Sequence, residues 1–529
     1  MKSLMKRVFA AAAAIATVFG LAATTVATAN AADNATLTVS TTDAKFAGKT
    51  VNAYKMFSAT VSGDGKAVSY TLTDEWKPFF KNSVGLTGVT DENVNDKAND
   101  YVSKLKDSTL VAFATKASNW AQTKANNITA DATATVSADA SNGKYTATFT
   151  GLGYGYYVVA VPGATLANAK SQYATLVSVH STKVDADIKG DLPTVDKKVQ
   201  VDGTGKDATD AKIGDTLTFT LTSTIPDMSA YNTYTFNFKD TLSKGLTFGQ
   251  VDSVKVGDTA LTTDTDYTVA TAPADNGKTL LTVTMKNFKT KQQANAGKKI
   301  TVTYTATLNE NAVVGGAGNV NSAKIQYSNN PSTNGTGESE PSKVRVFTYG
   351  FTVDKYTGKN YDDTATRLAG AEFTLAHKDG SAISFVQVSA GSATANAVYR
   401  VAKAGETGTT TITTPANGKV VFEGLENGEY TLTETKAPAG YNKLASAIGV
   451  KVDGQNNGTD TTNATVTITY NNDNGNDYNQ TASNGVIPVQ NKSGAILPGT
   501  GGMGTIAFTV IGVLVIALGV AWTLKRKNA

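Results

Sequence analysis

Lysine, asparagine and a carboxyl group recur along this chain at positions where they could form an amide bond with one another. Side chains in a strand alternate between faces, so residues two apart share one. Phe351, Val353 and Lys355 therefore share a face, as do Tyr430, Leu432 and Glu434, and Ile487, Val489 and Asn491. The pattern also occurs upstream, in Val195, Lys197 and Val199, in Tyr234, Phe236, Phe238 and Asp240, and in Ile325, Tyr327 and Asn329. Each apolar face carries one polar residue. A lone buried lysine or carboxylate is expensive, so three complementary groups on three such faces suggest that the groups meet. Burial disfavours both charges and tends to leave a neutral amine and a protonated acid. The amine can then attack the asparagine Cγ while the acid hydrogen-bonds its oxygen. Ammonia leaves, an amide joins the two side chains, and fixed proximity replaces an external enzyme. In each set the lysine lies in the first strand of a segment and the asparagine in the last, and those strands are expected to be neighbours. The rivals are Lys198 for Lys197, and Asn319 or Asn321 for Asn329. The face argument favours Lys197 and Asn329.

The elements that must hold these groups are mainly strands. The chain is rich in Thr, Ala, Asn, Gly and Val, a composition that suits many short strands joined by polar turns. Roughly 470 mature residues exceed one core and imply about three domains. The first spans 32–190. It has one helix predicted from Leu110, Phe113, Ala114, Ala117, Trp120 and Ala121, an alternating stretch from Lys144 to Thr150, and a closing strand from Tyr173 to His180. The second spans 191–343, with Pro331–Pro341 read as a linker or edge loop, and the third spans 344–492. The expected fold is a row of immunoglobulin-like β-sandwiches, the first with a helical insertion. No triad of the same kind is visible in the first domain.

The two ends carry targeting signals. Lys2, Lys6 and Arg7 precede an apolar, Ala-rich run, and Ala29-Asn30-Ala31 fits leader cleavage, so 1–31 reads as a signal peptide. Ala27-Thr28-Ala29 is a second cleavage option. Near the other end stand Leu497, Pro498, Gly499, Thr500 and Gly501, then an apolar run from Ile506 to Leu524, then Lys525-Arg526-Lys527. The run suits a transmembrane helix in the precursor, held by its basic tail. Removing the three basic residues of the leader and the three after Thr500 takes the net charge from +4 to −2, which gives no reason to expect nucleic-acid binding. There is no cysteine, and His180 and His377 stand alone. A transition-metal site, a bound cofactor or a Ser-His or Cys-His catalytic group is therefore not expected.

The C-terminal arrangement resembles the cell-wall sorting signal of sortase substrates in Gram-positive bacteria. The resemblance implies that a sortase thiol attacks the Thr500–Gly501 bond and passes the Thr500 acyl group to an amine. Tyr430 through Tyr441, with Val353-Asp354-Lys355 and the Asn491 ending, resembles the CnaB-type isopeptide domain. Pro193 through Val199, with Tyr327 through Pro331 and Asp240, resembles the CnaA type. Together these features are similar to the major subunit of sortase-assembled pili, the SpaA/FimA type. The resemblance implies Lys197–Asn329 and Lys355–Asn491 crosslinks promoted by Asp240 and Glu434. It also implies a structural, non-enzymatic protein at the cell surface, polymerised head to tail and ending on peptidoglycan. Sortase, further copies of the chain, accessory pilins and host glycans or matrix proteins are the implied partners. In that family the linking lysine usually lies in a Tyr-Pro-Lys motif, which this chain lacks. Lys189 is the nearest positional match, with Lys183 and Lys198 as rivals. A monomeric wall-anchored adhesin or accessory pilin is the second reading. A wall-anchored enzyme is the third and has no catalytic group to support it.

Overall fold

The computed structural model describes residues 34–493, apart from 63–66, 127, 140–142, 167–171, 330, 332–333, 363, 456–463 and 473–476. The leader, the 497–501 motif and the apolar run from 506 to 524 lie outside the described residues. No described helix is long and apolar enough to cross a membrane.

The described chain folds as three β-sandwich domains in sequence order. In the first, one sheet orders the strands Ser137–Asp139, Lys144–Leu152, Ala35–Thr41 and Lys183–Asp187, and the other is built on Val68–Leu72, Thr50–Val61, Gly155–Thr165 and Gln172–Val179. Alternation buries Leu37 and Val39. The closing strand is Lys183–Asp187, parallel to Ala35–Thr41, rather than the Tyr173–His180 stretch. Its inner positions are only Val184 and Ala186, between charges, so no apolar face marks it in the sequence. The helical insertion has three α-helices, Lys77–Asn82, Val94–Ser103 and Asp107–Gln122, where the sequence predicts one. The first is a single short piece. The second buries just Val94, Ala98 and Val102, too thin a stripe to register as a helical face. Trp76 and Phe80 pack edge to face on Phe79, and Phe113 and Trp120 join the cluster at tilted angles, with Trp76 and Trp120 centroids 5.4 Å apart.

In the middle domain the Lys197 strand (Val195–Val201) and the Tyr304 strand (Lys299–Leu308) flank Thr216–Thr224 in one sheet. The Asp240 strand (Phe236–Leu242) and the Asn321 strand (Asn319–Ser328) are antiparallel partners in the facing sheet. Strict alternation turns Phe236, Phe238, Asp240 and Leu242 inward. The strand Ser342–Phe347 pairs with Asn319–Ser328 and Ala208–Asp210, so the middle domain extends beyond 343 and ends at Phe347. The Pro331–Pro341 stretch is no linker, because Thr336–Glu338 folds back onto Gln326–Ser328.

In the third domain the Lys355 strand (Tyr349–Thr357) lies between Lys419–Leu425 and the final strand Val486–Gln490. It runs parallel to the latter with Lys355 opposite Val489. The Glu434 strand (Gly428–Lys436) sits in the second sheet between Glu372–His377 and Ile448–Gly454. First and last strands are therefore neighbours in the third domain. In the middle domain the lysine and asparagine strands instead face each other across the core.

Candidate functional site

Two fully buried clusters of lysine, carboxyl and asparagine side chains are present, one in each of the second and third domains. In the third, Lys355 Nζ is 3.0 Å from Glu434 Oε1, and neither side chain is exposed. Asn491 Nδ2 donates to Glu434 Oε2 at 3.0 Å and to the Asn442 carbonyl at 2.7 Å. The Leu444 N–H also donates to Glu434 Oε2 at 2.7 Å, so the 442–444 loop holds the carboxyl in place. Lys355 Nζ lies 5.6 Å from the Phe373 ring centre. Burial pushes the Lys355 amine down to about 8, against the pull of Glu434.

In the middle domain Lys197 and Asp240 form an ion pair with both side chains fully buried. Tyr304 Oη joins them, accepting from Lys197 Nζ at 2.8 Å and donating to Asp240 Oδ2 at 2.6 Å. Asn321 Nδ2 donates to Tyr304 Oη at 2.7 Å. The Phe219 and Tyr304 rings stack with centroids 5.3 Å apart, each ring centre about 5 Å from the amine. Burial pushes the Lys197 amine down to about 8, and it pushes the Tyr304 phenol well above its usual range.

The structure replaces Asn329 by Asn321 at this cluster. The face argument that favoured Asn329 fails here, because Asn321 is also an odd-numbered position on the same face. Register does. Asp240 lies opposite Ala323, and Asn321 is the next inward position. Asn329 is six residues beyond Ala323, about 20 Å along an extended chain. It lies past the strand end, where its backbone packs against Gly163 of the first domain and its N–H bonds Gly335. Asn319 is buried, but its side chain is committed to the backbone of Val313 and Val346. Lys198 points outward and pairs with Asp207 at 2.6 Å. Sequence reasoning also missed Tyr304. The available signal was its inward place in the Ile300, Val302, Tyr304, Ala306 alternation, since a phenol in a core needs a partner.

The unpartnered buried atoms are informative. They include Lys355 Nζ, which is within ion-pair distance but off the hydrogen-bond direction, together with Glu434 Oε1, Asn491 Oδ1, Asp240 Oδ1 and Asn321 Oδ1. Each cluster thus leaves a carboxyl oxygen and an amide oxygen without a hydrogen bond. Buried polar groups are seldom left unpaired, and each exception calls for a reason. Among the described residues the first domain shows no such cluster. Its buried polar side chains among the described residues are Ser40, Ser118, Gln122, Thr165 and Ser178.

Residues 213–331 match the family described as Gram-positive pilin backbone subunit 2, Cna-B-like domain. Residues 354–469 match SpaA, a prealbumin-like fold domain. Two segments of this chain thus match domain families of this kind, one of them described as a Gram-positive pilin backbone. The middle domain, expected to be of the CnaA type, thus falls under a Cna-B-like description. The chain is similar to the trypsin-resistant surface T6 protein of Streptococcus pyogenes serotype M6, 26% identical over 281 residues, or 48% of this chain and 44% of that protein. It is also similar to the fimbrial subunit type 2 of Actinomyces naeslundii, 28% identical over 260 residues, or 43% of this chain and 45% of that protein. The chain therefore spans less than half the length of these two relatives. Among solved structures, the T6 backbone pilin of serotype M6 Streptococcus pyogenes is 18% identical, with a TM-score of 0.46, covering 88% of this chain and 99% of that one.

The lysines expected to link subunits are placed as follows. Lys189 is exposed in the loop after Lys183–Asp187, just before the middle domain. Tyr173 braces this loop, with its Oη donating to the Asp187 carbonyl at 3.0 Å and its ring against Gly190. Lys183 is exposed but lies within the strand that pairs with Ala35–Thr41.

Proposed function

We propose that this chain is a structural pilin subunit that crosslinks itself at Lys197–Asn321 and Lys355–Asn491 and is polymerised head to tail. The observation that carries this reading is the pair of fully buried Lys–acid–Asn clusters, in each of which burial pushes the amine down to about 8. Such an amine is a nucleophile at ordinary pH, and a dry core excludes the water that would compete with it. Asp240 and Glu434 would act as the promoting acids. The product ties strands together without redox sensitivity, which suits a chain with no cysteine.

A sortase would cleave between Thr500 and Gly501 and join the Thr500 acyl group to Lys189 of the next subunit, with the last acyl group passing to peptidoglycan. This places the protein on the outer surface of a Gram-positive cell wall as part of a pilus that supports adhesion. The test is an immunoblot of wall extracts boiled in detergent, comparing wild type with Lys189→Ala. A high-mass ladder that disappears in the variant is expected. A single wall-bound band in both strains would contradict polymerisation and favour a monomeric adhesin. A ladder in both would contradict only the choice of lysine.

A further inference from the structure

We propose that Tyr304 is a catalytic residue of the middle-domain crosslink, relaying a proton from the Lys197 amine to the leaving nitrogen of Asn321. The inference rests on the crosslinking reading and concerns how the proton moves.

The two clusters solve the same problem with different acids. In the third domain one carboxyl group touches both reacting nitrogens. Glu434 Oε1 is 3.0 Å from Lys355 Nζ, and Oε2 is 3.0 Å from Asn491 Nδ2. A proton taken on one side can be returned on the other. Asp240 is one methylene shorter. It contacts Lys197 through Oδ2, its Oδ1 has no partner, and Asn321 donates to Tyr304 instead. The phenol oxygen fills this gap, 2.8 Å from the attacking nitrogen, 2.7 Å from the leaving nitrogen and 2.6 Å from the acid. A hydroxyl has one proton and two lone pairs, so it can accept and donate at once. Stacking on Phe219 fixes the ring, and burial keeps the phenol protonated.

The step balances as follows. Lys197 gives a proton to Asp240, leaving an amine and a carboxylic acid. Nζ adds to Cγ of Asn321, and the carbonyl electron pair moves to Oδ1, where the acid O–H stabilises it. Nδ2, no longer conjugated, regains its lone pair. Nζ passes a proton to Tyr304 Oη while Oη passes its own to Nδ2. The Cγ–Nδ2 bond breaks with its pair on nitrogen, ammonia leaves, the carbonyl reforms and the phenol is regenerated. Nothing is oxidised or reduced.

Tyr304→Phe in the full chain removes one oxygen and keeps the stacked ring. After a pulse of synthesis, intact mass and peptide mapping would follow both crosslinks over time. The middle-domain bond should form on the order of 10²-fold more slowly, the usual contribution of a placed acid–base group. The third-domain bond in the same molecules should keep its normal pace, which controls for folding. A Tyr304→Phe chain that crosslinks Lys197 to Asn321 at the wild-type rate would overturn the relay. A wild-type chain with no such bond would instead overturn the crosslinking reading itself. A double variant, Asp240→Glu with Tyr304→Phe, guards against a simple packing defect. Its longer acid should regain reach to both nitrogens and restore the bond. A folded double variant that stays uncrosslinked would also overturn the relay, because a carboxyl reaching both nitrogens suffices in the third domain.

Discussion

Replacing Asn491 by alanine removes the electrophile of the third domain but keeps Lys355 and Glu434, which stand as a buried ion pair where no tie has formed. The variant therefore loses the covalent tie while both the lysine and the acid remain. The tie would close a loop from Lys355 to Asn491, roughly 136 residues. In the chain-entropy treatment of a crosslink, a loop of that size restrains the unfolded state by about 5 kcal/mol. For a domain of this size each kcal/mol moves the melting midpoint by about 3 °C, so the third-domain transition should fall by roughly 15 °C. Calorimetry on the whole ectodomain reads this directly, with the middle-domain transition as internal reference. A third-domain midpoint unchanged within a few degrees would refute the reasoning. So would a variant whose mass still shows both ammonia losses.

The same geometry predicts different responses to pulling. In the third domain the load enters at Tyr349 and leaves past Asn491, so the Lys355–Asn491 tie bypasses almost the whole fold. In the middle domain the tie at Asn321 leaves the return through Ser342–Phe347 outside the covalent loop. Single-molecule force spectroscopy should therefore show a short middle-domain step, up to about 90 Å for roughly 26 residues, and no comparable third-domain step. Full extension of the third domain would be inconsistent with its tie. In the Asn491→Ala chain, Lys355 stays uncoupled with its folded value pushed down to about 8, below its ordinary 10.5. Between those values the unfolded chain binds more protons, so third-domain stability should rise from pH 7.5 to pH 9.5 relative to a chain that also carries Lys355→Met. A flat or falling difference in melting midpoint would contradict the buried, desolvated amine.

Much of the arrangement was legible in the period-two alternation. A lysine after Phe351 and Val353, and a glutamate after Tyr430 and Leu432, mark inner faces with one polar residue each, and the fold brings Lys355 and Glu434 to 3.0 Å. Alternation fixes the face but not the register. That is why the sequence reading favoured Asn329 over Asn321 although both share a face, and only the pairing of Asp240 with Ala323 separates them. It also does not say which sheet a strand joins, so the Lys197 and Asn321 strands were expected side by side and instead face each other. The helix Asp107–Gln122 announced itself through Phe113, Ala114, Ala117 and Ala121, whereas Val94–Ser103 shows one small apolar residue per turn. Ser342–Phe347 reads as a fresh start after Pro341, but its partners Asn319–Ser328 and Ala208–Asp210 are distant in sequence and bind it to the middle domain.

The most direct measurement is the intact mass of the purified wild-type ectodomain, followed by mapping of its crosslinked peptides. The account predicts a chain lighter than its sequence by two ammonia molecules, with one branched peptide joining Lys197 to Asn321 and another joining Lys355 to Asn491. An ectodomain at its full sequence mass, with all four residues recovered in linear peptides, would contradict it.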